Sequence, residues 1–197
     1  MTVTMRDLRE TDAAGWVLNK VEEFQRDCDV VFLWFGPPSG TASRAREAPL
    51  PQARVAPRPL RSREFPAGLP ELPAEDAARV ADANVLYDFI ARVVHALPPG
   101  VQWAIENPAS SYLWELPAFK GMLLVHPRAV DVVLTSCNYG GSRPKRIRLR
   151  TNVAALGRLG GPCTGAHPPR YLGALHAPWG AARVGGFALA SEAEYPP

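Results

Sequence analysis

The chain has only three cysteines, Cys28, Cys137 and Cys163, and their spacing forms no disulfide framework. No apolar run approaches the ~20 residues that a membrane-spanning helix needs. No signal-peptide pattern opens the chain. A reducing intracellular setting is therefore expected, nuclear in a eukaryote. Paired metal-ligand spacings of the C-x₂₋₄-C or H-x₃₋₅-H kind are also lacking. Cys163-Thr164-Gly165-Ala166-His167, with Cys137 or His176 as partners, offers the right ligand types without that pairing, so no metal site is expected.

What is abundant is proline. The 21 prolines among 197 residues are roughly twice the usual usage of about 5% and imply long irregular segments. The length suffices for one domain with a real core, and 47% hydrophobic residues fit a globular class. A net charge of +3 hints only weakly at an anionic partner; its distribution says more.

Two stretches organise the rest. Val30-Val31-Phe32-Leu33-Trp34-Phe35 reads as a buried strand, stopped by Gly36-Pro37-Pro38 because neither proline can donate to a ladder. A small polar loop, Ser39 to Ser43, follows. Val101-Gln102-Trp103-Ala104-Ile105-Glu106-Asn107-Pro108 has the same form, a short apolar strand ending in polar residues and proline. Each is by itself a strand and a tight turn; together they suggest two lips of one cleft at the carboxyl edge of an α/β sheet.

The spaces between are legible in outline. Val3-Thr4-Met5 reads as a short strand, and Ala14 to Arg26 as a helix with Val17, Leu18, Val21 and Phe24 on one side and Asp12 as its cap. Residues 44–73 form a loop punctuated by seven prolines, with Arg44, Arg46, Arg54, Arg58, Arg61 and Arg63 interleaved. It reads either as a phosphate-contacting loop or as a solvated linker. Ala74 to Leu97 is the clearest helix, with Val80, Ala83, Tyr87, Ile90, Val94 and Leu97 on one face. It leads directly into the Glu106 strand, as a crossover helix does.

Ser110 or Ser111 is placed to cap a short helix reaching Leu116, and Val130 to Thr135 is a further apolar strand. Arg146 to Thr151 alternates arginine with Ile147 and Leu149. With Arg143 and Lys145 it gathers five cations in eight residues, either a phosphate-binding face or an edge strand protected by charge. From Gly157 onward glycine and proline dominate. Residues 1–156 are read as the α/β domain and 157–197 as an irregular segment.

These residues resemble the cytosine-5 DNA methyltransferase superfamily, over roughly residues 5–155. Gly36-Pro37-Pro38-Ser39-Gly40-Thr41 stands where that family has Pro-Pro-Cys or Pro-Cys, and Ile105-Glu106-Asn107-Pro108 where it has Glu-Asn-Val. Arg143-Pro144-Lys145-Arg146-Ile147-Arg148 looks like its Gln-x-Arg-x-Arg motif. Cys137-Asn138-Tyr139-Gly140 and Thr151-Asn152 resemble segments of the divergent phage and mobile-element branch.

The resemblance implies an incomplete Rossmann-like, S-adenosylmethionine-dependent sheet with helices on both faces. It gives Ser39 the attacking position, Glu106 the contact to the ring, and Arg146 and Arg148 the steadying of base and phosphate. It assigns Asp7, Pro37, Pro38 and Asn107 to the cofactor side, and Arg44, Arg46, Arg143, Lys145 and Arg150 to nucleic acid. DNA is the partner it implies.

The family's glycine-rich first motif, Phe-x-Gly-x-Gly, is not found before residue 30. The expectation is a truncated protein, or a second chain that supplies the cofactor half. Ser39 also departs from the family, because a serine hydroxyl ionises far above a thiol and needs an adjacent base. Two readings follow: a cytosine-5 methyltransferase-like protein, inactive as this chain, or a non-catalytic nucleic-acid-binding module, a remnant of a mobile element.

Overall fold

A computed structural model describes residues 6–47, 58–169 and 173–176. The expected Val3–Met5 strand and Arg54 lie outside these residues. The elements are α1 (Ala13–Asp27), β1 (Phe32–Phe35), α2 (Ala74–Ala96), β2 (Gln102–Pro108), α3 (Pro117–Val125), β3 (Val130–Thr135) and β4 (Arg146–Thr151). The chain is an α/β protein built on one mixed four-stranded sheet of order β1-β2-β4-β3. β1 and β2 are parallel, joined through α2 as the crossover helix; β4 runs antiparallel to both β2 and β3. The carboxyl ends of β1, β2 and β3 and the amino end of β4 therefore share one edge.

The register decides which side chains share a face, since a strand alternates with period two. Phe35 pairs with Ile105, Ile105 with Arg150, and Arg150 with Asp131. On that face Trp103, Ile105 and Phe35 join Tyr87, Ile90 and Val94 of α2, Ala13 and Ala14 of α1 and Phe119 and Met122 of α3 in one buried cluster. The three α-helices thus pack on one face. The opposite face carries Val132, Leu134 and Leu149 under Leu159, from the 3₁₀ turn Ala154–Leu159. The expected helices on both faces are not seen among the described residues.

The helix readings hold with local corrections. α2 buries the expected Val80, Ala83, Tyr87, Ile90 and Val94, but also Phe89, Ala91 and Val93, because it touches α1, α3 and the sheet at once. In α1 Phe24 is exposed and the contact is made by Ala13, Ala14 and Val21. Asp12 does not cap α1: its carboxylate accepts from Arg6 at 2.6 Å instead. Ser111 does cap, accepting from Leu113 N at 3.2 Å, but the turn it starts is 3₁₀, Tyr112–Glu115. α3 then begins at Pro117, whose missing N–H costs nothing in a first turn.

The Pro/Arg-rich loop is tied down where it is described. Arg61 is almost fully buried. Its guanidinium donates to Pro66 O at 2.7 Å, Asn84 Oδ1 at 2.8 Å and Thr41 Oγ1 at 3.0 Å, and lies 5.2 Å from the Tyr87 ring centroid. Burial pulls its pKa below the usual arginine value. One side chain thus joins the Pro-Pro loop, the arginine loop and α2. Arg61→Ala leaves several buried acceptors unmet at roughly 1–3 kcal/mol each, so a loss of about 3 kcal/mol is expected in urea unfolding. Arg61→Lys, with no planar fork, should recover less than half of it; full recovery by lysine would show that charge alone matters.

Candidate functional site

Both proline-stopped strands end at the same sheet edge, and polar side chains join them there. Asn107 is about 1% exposed, and its Nδ2 donates to Pro37 O at 2.9 Å. Tyr87, on α2, donates its hydroxyl to Pro38 O at 2.6 Å. Beyond the prolines the loop curls into a helical turn, with Ala42 N and Ser43 N both reaching Ser39 O. Ala42 O in turn accepts from Tyr112 N at 2.9 Å, and the Tyr112 hydroxyl donates to Glu47. The two expected lips are therefore bonded to each other directly.

Ser39 is half-buried on this loop, two residues past the Asn107 bond. Among the described residues no basic side chain is hydrogen-bonded to its hydroxyl. Glu106 is half-buried on β2. It pairs across the sheet with Leu149, whereas Asn107 pairs with Arg148. Glu106 and Arg148 therefore leave the sheet on opposite faces, and only at its edge can one ligand reach both.

The arginines of β4 have three different environments. Arg150 is about 3% exposed; it donates to Asp131 at 2.7 and 2.8 Å and also to Phe119 O. Its guanidinium is buried while Asp131 reaches the surface, so Arg150 offers no surface to nucleic acid. Arg148 stacks over Trp114 at 5.2 Å and reaches Asp131 at 3.4 Å. Its Nε and the facing Asn107 Oδ1 are buried without hydrogen-bond partners among the described residues. Arg146 is exposed and Lys145 half-buried, whereas Arg143 is buried. β4 also lies inside the sheet, so it is not a charge-protected edge strand.

The remaining expected contacts are largely occupied. Arg44 pairs with Glu47 at 3.0 Å. Arg46 donates to Arg58 O at 2.9 Å, and Arg58 pairs with Asp76, whose pKa this holds below the carboxylate range. Asp7 is chelated by Arg9, which donates at 3.0 Å from Nε and 2.7 Å from its terminal nitrogen. A cleft of about 330 Å³ opens at the same sheet edge, lined by Thr135, Pro144, Arg146, Pro162 and Cys163. A second, of about 730 Å³, lies along α2 and is lined by none of the motif residues.

The sequence reading missed Tyr87, Tyr112 and Trp114 as parts of this edge. Tyr87 carried a signal: a tyrosine on the buried face of a helix needs a partner for its hydroxyl. Neither family models, nor curated proteins, nor solved structures yield a match to this chain.

Asn107→Ala strands Pro37 O in a buried place, a loss of about 1–3 kcal/mol. Hydrogen exchange should quicken at Ala42 and Ser43 while the β3–β4 ladder stays protected; equal quickening in both would show a global effect only. The Arg9 hydrogen bonds hold the Asp7 carboxyl at about 2. A depressed pKa stabilises the fold above the unfolded value of ~3.9, and that contribution is lost as pH falls through the folded value. Carboxyl NMR titration should place Asp7 near 2, and Arg9→Ala should return it toward ~3.9.

Proposed function

We propose that this chain is a cytosine-5 DNA methyltransferase-like protein that binds nucleic acid at the carboxyl edge of its sheet and does not by itself transfer a methyl group. The observation that carries the reading is the Asn107–Pro37 hydrogen bond, which ties the Pro-Pro-Ser and Glu-Asn-Pro segments side by side on adjacent parallel strands. A parallel pair joined by a crossover helix is also the repeating unit of a Rossmann-like sheet. The same edge brings Ser39 and Glu106 onto neighbouring strand ends and adds exposed Arg146.

Ser39 carries the inactivity. Attack on carbon 6 of cytosine needs an anionic nucleophile. At neutral pH a thiol of pKa near 8.5 is a few per cent thiolate, whereas a serine without a base supplies essentially no alkoxide. The cofactor side is the other requirement. Among the described residues β1 is an edge strand, and Phe32 and Trp34, 43% and 45% exposed, leave it on the face opposite the helices, with exposed Val30 just before it. An apolar strip on an edge strand suits packing against a further sheet segment, which we assign to the cofactor half, in a second chain or a joined one.

The test has two arms. Transfer of labelled methyl from S-adenosylmethionine to cytosine-containing DNA is expected to be undetectable for the wild-type chain and for Ser39→Cys alone. It should appear only when Ser39→Cys is combined with a cofactor-binding segment; transfer by the unaltered chain would falsify the assignment of Ser39. DNA binding should be weak, without sequence preference, and fall as salt rises, by counterion release. Each lost phosphate contact lowers the log–log slope by about 0.9. Lys145→Ala and Arg146→Ala should each lower that slope. Arg150→Ala should lower stability instead, because it strips Phe119 O of its buried donor and leaves Asp131 only the longer 3.4 Å contact to Arg148. Binding that ignores salt, or none at low salt, counts against the reading.

A further inference from the structure

We propose that Cys137, Cys163, His167 and His176 form a structural zinc site that clamps the glycine- and proline-rich segment onto the end of β3. These four residues each present one ligand atom, and all four atoms lie within 4.8 Å of one another. Cys163 Sγ stands 3.4 Å from His167 Nε2 and 3.4 Å from His176 Nε2. Zinc bonds of ~2.3 Å to sulfur and ~2.05 Å to nitrogen, at a tetrahedral angle, require a sulfur–nitrogen separation of roughly 3.6 Å. The side chains are thus already arranged as a Cys₂His₂ set before any ion is added.

The surroundings fit the ion. His167 Nδ1 lies 3.0 Å from Pro168 O. A proton on Nδ1 directed at that carbonyl leaves the Nε2 lone pair facing the cluster, the outer-shell arrangement of a ligating histidine. Cys137 is fully buried at the start of the 3₁₀ turn Ser136–Tyr139, directly after β3, so one ligand comes from the rigid sheet. The other three come from a stretch in which the described residues form no α-helix or long strand. Among the described residues, the bonds that hold its start to the sheet are Gly161 N to Val133 O at 3.0 Å, Thr135 Oγ1 to Gly161 O at 3.0 Å, Asn138 Nδ2 to Pro162 O at 3.1 Å and the Tyr139 hydroxyl to Leu159 O at 2.8 Å. A metal linking Cys137 to residues up to His176 supplies the missing cross-link.

No metal is expected from the sequence, because these ligand types stand without a C-x₂₋₄-C or H-x₃₋₅-H pair. The local pair here is mixed, Cys163-x₃-His167, and the remaining ligands are distant in sequence. Four protein ligands leave no open position, which marks a structural rather than a catalytic zinc. Cys163 also lines the 330 Å³ cleft beside Arg146, so the clamp fixes one wall of it. The inference is independent of the methyltransferase reading.

The experiment is metal analysis of the full chain purified under reducing conditions, followed by cobalt titration of the chelator-treated protein. One zinc per chain is expected, and cobalt should give the intense visible bands of tetrahedral coordination with a thiolate charge-transfer band. Cys163→Ser and His176→Ala should each weaken cobalt binding by more than the roughly 10–100-fold typical of losing an outer-shell partner. Cys28→Ser, an exposed cysteine outside the cluster, should change nothing. The cobalt spectrum of the unaltered chain decides the matter even where a variant fails to fold. Octahedral cobalt, less than stoichiometric zinc, or a Cys137–Cys163 disulfide in the reduced preparation would each overturn the proposal.

Discussion

A proline cannot hand on a sheet ladder, and β1 meets two in succession. The backbone at the site edge is therefore held by side chains. Asn107 substitutes for the next rung: it lies within β2, two residues past Ile105, the last residue paired with β1, and gives its amide to Pro37 O. Tyr87 secures Pro38 from below, and Arg61 holds Thr41 from the side. Every functional statement about Ser39 depends on these three groups, because the loop they fix has no ladder of its own. Their burial raises the cost of losing any one, since each leaves a carbonyl or hydroxyl unpaired away from water.

Arginine shows how far composition can mislead. In the chain, Arg58, Arg61, Arg143, Arg146, Arg148 and Arg150 look like one basic supply for phosphate. In the fold Arg61 and Arg150 are internal fasteners, Arg58 neutralises Asp76, and Arg148 lies flat on Trp114. An arginine stem packs as an apolar chain while its fork satisfies carbonyls in three directions, so arginine can serve in a core where lysine cannot. Among the described residues, the cations left for an external anion at the sheet edge are Arg146 and, in part, Lys145. That small remainder fits weak, sequence-indifferent binding better than a deep phosphate track.

Local patterns carried most of the fold. The β-branched and aromatic runs ending in proline marked β1 and β2, and the three-four spacing marked α2, because burial of one stripe forces that spacing. The layer arrangement was not legible. Nothing in the run Val130 to Thr135 says that β4 will insert between it and β2; that is decided by pairing across distances that leave no local trace. Nor does alternation reveal which face is buried. Arg146, Arg148 and Arg150 alternate with Ile147 and Leu149, and the pattern suggests a solvated basic face. The structure covers Arg150 with Phe119 and Asp131 and half-covers Arg148, so both faces are partly interior. The Cys–His cluster was half legible: all four residues were visible as ligand types, and only folding could supply their convergence.

The two proposals meet at one question, which thiol could replace the one missing at position 39. Cys28 follows α1 and precedes β1, so it stands at the amino edge of the sheet, opposite Ser39. Cys137 and Cys163 do lie at the carboxyl edge, within about two or three strand spacings of ~4.8 Å from β1. Ligation by zinc converts both to metal-bound thiolates whose lone pairs are committed to the ion and whose positions are fixed. A thiolate so held cannot advance onto a base and withdraw again. The proposed metal clamp and Ser39 therefore agree with the proposed reading, in which the edge holds and orients a base without supplying a nucleophile.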